Sequence, residues 1–264
     1  MSGSLRLRQI CLVAWKLAPV EEDLRTIFGI EPCHHSNLFD GRFGIHNVVF
    51  AVGGGFLEVA ALHPGADPKA SPAGRYLERR KGDGGYMVIL ECNDVPRRRA
   101  HMERLGVRIV LEPNHDGFHE IQLHPRDTGG ALIAINQTAG RDGLVGPYPP
   151  AGREWWLKAA PSTVTFEMSA ADLQGPDPEA LAARWSAVLE RPVAKGASGA
   201  PEMALDVGCL RFVPDRDGRG EGLGCVDMVV GDRQRVLGAA AGRGIRPEGD
   251  VITVCGTRFR LVQH

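Results

Sequence analysis

Glu58 is the residue in this sequence whose position most needs a chemical reason. It lies within Phe56–Leu62, FLEVAAL, a run that reads as a buried strand. A carboxylate leaves water only when something compensates it. In one reading Glu58 serves stability, paired with Gln9, an arginine or a backbone donor. In the other it is a general base in a dry pocket, where desolvation raises its pKa. The remaining candidates are mostly histidines: His34, His35, His46, His63, His119 and His124. His34 and His35 fall in a predicted loop. His46 and Asn47 lie on a strand near Glu58, and alternation lets only one of the two face inward. His119 and His124 are five positions apart on a predicted strand, hence on opposite faces. His124 also adjoins a tight turn, where capping backbone groups or pairing with Asp127 would occupy it. Gly53–Gly55 and Gly82–Gly85 are not phosphate loops, because no helix N-terminus follows either. Arg97, Arg98 and Arg99 form a charge run that reads as a solvated helix face.

The elements that must position these groups recur along the chain. Gln9–Trp15 is an apolar strand. Pro19 opens a helix with acids in its first turn, and Val20, Leu24, Ile27 and Phe28 form its apolar face before Gly29. Gly44–Val52 and Phe56–Leu62 make a hairpin. The order restarts with a strand at Tyr86–Cys92, a helix capped by Asp94 and ending at Gly106, and further strands. Gln137–Ser162, with GPYPPAG and Trp155–Trp156, reads as an interdomain linker whose tryptophans pack between domains. The pattern then returns twice: a strand at Thr163–Met168 with a helix from Asp177–Pro178, and a strand at Gly224–Val230 with a helix capped by Asp232. Leu181, Trp185, Val188 and Leu189 repeat the spacing of Val20, Leu24, Ile27 and Phe28. Four copies of one βα-plus-strands unit imply an α+β fold.

Composition bounds the function. At 264 residues the chain has room for two ordinary domains. A net charge of −1 and a pI near 6.8 argue against a bulk electrostatic nucleic-acid binder. The six cysteines form no C-x-x-C pair, and most sit in apolar runs that suit buried reduced thiols. No signal peptide is recognised at Met1–Arg8 and no apolar run is long enough for a bilayer, so no membrane partner and a cytoplasmic location are expected.

Ile121–Asn136, IQLHPRDTGGALIAIN, reads as a hairpin: Pro125 ends one strand, Arg126–Thr128 form a polar turn, Gly129–Gly130 supply backbone freedom, and Ala131–Ile135 run as an apolar strand. HPRDTGGALIAI closely resembles the last hairpin of glyoxalase-like proteins of the vicinal oxygen chelate superfamily, and methylmalonyl-CoA epimerases carry a near-identical segment. Ser71–Asp94 resembles the stretch leading into the second half of that domain. The resemblance spans about Leu5–Gln137.

The resemblance implies paired βαβββ modules forming curved sheets, here two glyoxalase-like domains at 1–138 and 162–264 joined by a linker at 139–161. It also implies a divalent metal held from four positions. Mapped onto this sequence these are Gln9, Glu58, Met87 and Ala134. The corresponding positions in the C-terminal half are about Thr163, Arg211, Cys225 and Arg260. Met87 and Ala134 supply no family-type ligand and the arginines repel a cation, so no metal or other cofactor is expected. Three functions stay open. The first is a metal-independent enzyme, of lyase or isomerase type, acting on a small organic molecule with Glu58 as base and Gln9, Asn47 and Tyr86 orienting the substrate. The second is a non-catalytic small-molecule binder, as bleomycin-resistance proteins are. The third is a metal-dependent lyase, isomerase or dioxygenase. Candidate ligand contacts are Gln9, His46, Asn47, Tyr86, Met87 and His124, and the oligomeric state is open.

Overall fold

The computed structural model describes residues 3–38, 43–139, 147–152, 154–159 and 161–264. Its element order is four successive βα-plus-strands runs. The first is β1 (Leu5–Ala14), α1 (Leu17–Phe28), β2 (Pro32–Leu38), β3 (Ile45–Val52) and β4 (Gly55–Leu62). A further helix, α2 (Pro72–Arg80), precedes the second run: β5 (Gly84–Cys92), α3 (Val95–Leu105), β6 (Ile109–Leu111), β7 (Asn114–His115), β8 (Phe118–Leu123), α4 (Pro125–Thr128) and β9 (Leu132–Thr138). A 3-10 turn at Pro149–Ala151 and α5 (Trp155–Lys158) follow. The third run is β10 (Thr165–Gly175), α6 (Pro178–Leu189), β11 (Ala194–Lys195), β12 (Pro201–Ala204) and β13 (Cys209–Pro214). The fourth is β14 (Gly222–Val230), α7 (Arg233–Gly242), β15 (Val251–Val254) and β16 (Thr257–Gln263). The fold is α+β. No helix among the described residues is long and apolar enough to cross a membrane.

In the last three runs the first strand lies parallel to the last: β5 to β9, β10 to β13 and β14 to β16. Antiparallel pairs extend each run, β8 on β9, β12 on β13 and β15 on β16. In the first run β2, β3 and β4 are antiparallel neighbours and β1 lies beside β4. Packing divides the chain into two compact units. One holds Met1–Gln9, Tyr86–Gly143 and Ser169–Gly224; the other holds Ile10–Gly85, Leu144–Met168 and Cys225–His264. The boundaries 1–138 and 162–264 follow the order of the repeats along the chain, whereas these units follow packing and interleave them.

Helix signals explain the local structure. Asp94, Asp177 and Asp232 each accept a backbone N–H three residues on, from Arg97, Ala180 and Arg235, contacts worth about 1 kcal/mol each. α1 begins at Leu17, so Pro19 and the acids after it lie further into the helix than the sequence suggested. Its buried side chains are the expected Val20, Leu24, Ile27 and Phe28, with Leu17 added. Gly29 closes it at φ 61°, and a Cβ there would sit 2.6 Å from the Val164 side chain.

Two expectations need correction. Arg97–Arg99 is not a solvated face. Arg98 is 1% exposed and donates to the Leu189 carbonyl at 2.6 Å, at the C-terminal end of α6, where a cation meets the negative end of the helix dipole. Arg97 pairs with Glu190, and Arg99 with Glu103 and Glu112. The turn at Arg126–Thr128 is instead the short helix α4, which packs on α6.

The loop between β13 and β14 is organised around Gln174, whose amide donates to Asp215 and Asp217 and to the Gly220 carbonyl. Burial pushes the Asp217 carboxyl up, but the Arg219 N–H, the Gln174 amide and the Arg219 guanidinium outweigh it and hold the group down at about 2. A carboxyl depressed on folding contributes stability above its ordinary value and loses it as pH falls through the folded one. The Arg219 amide signal, whose N–H donates to Asp217 at 2.9 Å, should therefore titrate near pH 2. A midpoint at the ordinary 3.8 would show that these contacts do not hold the carboxylate.

Candidate functional site

Strand register decides which groups meet. Ser36 on β2 lies opposite Asn47 on β3, and Val49 lies opposite Glu58 on β4. Ser36, Asn47 and Glu58 therefore share one face, with His34, which lies opposite Val49, and with Phe56. The other face turns toward α1, from which Glu21 reaches His35 at 3.1 Å. His34 and His35 are thus strand residues on opposite faces, not loop residues.

On the Glu58 face the polar groups form a chain. The Ser36 hydroxyl donates to the Asn47 side-chain oxygen, and the Asn47 amide donates to the Glu58 carboxylate at 2.5 Å. Cys11, on β1 and fully buried, donates its thiol to the Leu12 carbonyl at 3.4 Å, and the thiol is pushed well above the ordinary range, first by burial and then by the Glu58 charge. Cys255 joins from the β15–β16 turn. It has φ 50°, interacts electrostatically with Cys11, and directs its thiol at the Val13 carbonyl at 3.5 Å.

Tyr148 and Trp155 pack on this face. Phe56 stacks on Tyr148 at 4.7 Å and meets Trp155 edge-on at 4.8 Å. Gly152, at φ 86°, passes so close to His34 that a Cβ would lie 3.1 Å from its ring nitrogen. This stretch was expected to be an interdomain linker; within its own compact unit, Tyr148 and Trp155 pack on the Glu58 face. The His34 ring is pushed down by burial and by Lys158.

The other expected contacts are distributed differently. His46 is half-buried, meets His63 edge-on at 5.7 Å, and is pushed down by burial and by that neighbour. Asn47 is engaged with Glu58. Gln9, Tyr86, Met87 and His124 belong to the other compact unit. His124 lies beyond the end of β8 and caps α4, its Nδ1 accepting the Arg126 N–H at 3.1 Å. Met87 is buried opposite Leu132, and Ala134 is buried opposite Ile89 and Gln122. A polar row that the sequence did not suggest crosses the sheet just beyond them. Glu91, Asn136 and Glu120 lie opposite one another. The Asn136 amide donates to Glu120 at 3.1 Å, and Arg6 donates to Glu91 at 2.7 Å.

The donor set does not fit the divalent metal of the resembled superfamily. A methyl group and a thioether stand at two of the four positions. In the C-terminal half Arg211 and Arg260 are occupied by Asp172 at 2.6 Å and Asp227 at 2.7 Å. Among the described residues no group of three or more His, Cys, Asp or Glu could hold a metal ion. EDTA should therefore leave the melting temperature within about 2 °C of its starting value. A fall of many degrees would reveal a structural metal.

The family model described as Glyoxalase-like domain matches residues 10–189. No curated protein matches the chain. Among solved structures, a hypothetical protein from Staphylococcus aureus shares the fold over 98% of this chain and 99% of that chain, with a TM-score of 0.67 and 11% identity. The Mn(II)-bound glyoxalase from Novosphingobium aromaticivorans does so over 100% and 83%, with a TM-score of 0.63 and 13% identity. Methylmalonyl-CoA epimerase from Mycobacterium tuberculosis is 22% identical over 51% of this chain and 88% of that chain, with a TM-score of 0.43.

Proposed function

Because the chain belongs to the glyoxalase-like domain family, we propose that it is an enzyme that acts on a small organic molecule without a divalent metal and uses Glu58 as its general base. The observation that carries this reading is the Glu58 carboxylate, held by the Asn47 amide at 2.5 Å on the strand face turned away from α1. A carboxylate that accepts a hydrogen bond from an amide is stabilised as the anion, the form that can take a proton.

The matching substrate class carries a C–H beside a carbonyl. Glu58 takes the proton, and the electron pair is left on the substrate, delocalised onto the carbonyl oxygen. Return of the proton elsewhere gives isomerisation; loss of a leaving group from the neighbouring carbon gives elimination. In this reading Asn47 orients the base.

The test is deuterium wash-in. The protein is incubated in D2O with a mixture of small carbonyl and carboxylic compounds, with and without EDTA, and the mixture is read by mass spectrometry. Wild type should add deuterium to a compound in the mixture, EDTA should not prevent it, and Glu58→Gln should abolish it. Exchange that EDTA stops would return the metal-dependent reading. Retention of a compound without exchange, unchanged in Glu58→Gln, would make the protein a non-catalytic binder.

A further inference from the structure

We propose that Ser36 is a positioning residue that fixes the Glu58 carboxylate through the Asn47 amide. This rests on the reading of Glu58 as the base. Ser36 carries no signal of its own in the sequence, where it lies in a polar stretch.

Asn47 has one acceptor and one donor end. Its donor end faces the carboxylate, so its oxygen faces Ser36, whose hydroxyl supplies the proton. The reversed amide would set an oxygen against a carboxylate oxygen, an acceptor against an acceptor. Ser36 fills the far end of the amide and so makes that orientation self-consistent. The Asn47 donor is thereby kept on the carboxylate, and a carboxylate held in one direction has the defined approach to its proton that a base requires.

Asparagine side-chain amides report this without a substrate. The chain contains five asparagines, 37, 47, 93, 114 and 136, so a spectrum of protein labelled only at asparagine resolves the Asn47 NH2 group. Exposed Asn114 serves as the internal reference. In wild type the Asn47 NH2 should exchange with water at least about tenfold more slowly than that of Asn114. Ser36→Ala should bring it to within about twofold of Asn114, and Ser36→Thr, which keeps the hydroxyl, should restore protection. Backbone amide spectra that overlay wild type establish that each variant is folded.

The proposal is overturned if Asn47 in Ser36→Ala exchanges within about twofold of wild type. That outcome leaves the deuterium wash-in result untouched, so a failed positioning role is distinguishable from a failed base. An intact, protected chain in a protein that washes in no deuterium overturns the base alone.

Discussion

Glu58→Gln is expected to abolish proton transfer while leaving the protein folded and nearly as stable as wild type. The substitution keeps the shape of the side chain. Its carbonyl oxygen still accepts from the Asn47 amide, so that donor is not left unsatisfied in a part-buried place. What disappears is the charge and the capacity to hold a proton. Denaturant unfolding should place the variant within about 1 kcal/mol of wild type. Deuterium wash-in should fall by about 10²- to 10⁴-fold, the usual contribution of a positioned base. If Glu58 serves structure only, the pattern inverts: the ionised form strengthens the Asn47 bond, the neutral amide weakens it, and the variant loses about 1–3 kcal/mol with exchange or binding undiminished. Measuring both quantities on one preparation separates the two roles.

The repeated architecture was legible because it rests on spacing. The apolar faces of α1 and α6, Val20, Leu24, Ile27 and Phe28 against Leu181, Trp185, Val188 and Leu189, are buried as their shared periodicity required. Asp94, Asp177 and Asp232 cap as their positions before apolar helices suggested. β2 was not legible. Pro-Cys-His-His-Ser-Asn-Leu has neither alternation nor β-branched content, and it pairs as an edge strand, where a polar sequence is tolerated because only β3 needs to accept it. Missing β2 meant missing Ser36. Cys11 was hidden for a different reason. A thiol in an apolar strand looks like core, and only the pairing of β1 beside β4 brings it to Glu58. α2 was also overlooked, although Ser71 before Pro72 is a start signal and Ser71 does accept the Gly74 N–H. Its polar composition gave no apolar stripe to notice.

Trp185→Ala is expected to be the most destabilising single change that the packing around α4 predicts. The HPRDTGG segment, which carries the family resemblance, is held by α6 within one compact unit. Arg184 donates to the Asp127 carbonyl at 2.7 Å, and Trp185 Nε1 donates to the Gly129 carbonyl at 3.3 Å. Gly130 N–H donates to Glu221 at 3.1 Å. Gly129, at φ 72°, leaves no slack, since a Cβ there would lie 3.1 Å from Leu181. Trp185 itself is wholly buried and meets Phe212 edge-on at 6.0 Å. Truncation to alanine removes the indole from a close-packed core, leaves a large cavity and strands the Gly129 carbonyl, a combined loss of about 3–5 kcal/mol. Trp185→Phe separates these contributions. It keeps much of the ring against Phe212 and deletes the N–H, so it should cost markedly less, about 1–2 kcal/mol. Unfolding followed by far-UV circular dichroism reads both without relying on the fluorescence of the residue being changed. An alanine variant less than about 1 kcal/mol below wild type would mean that the helix does not anchor the glycine pair, and that HPRDTGG keeps its shape through its own contacts, chiefly Arg108 on Asp127 and the His124 cap.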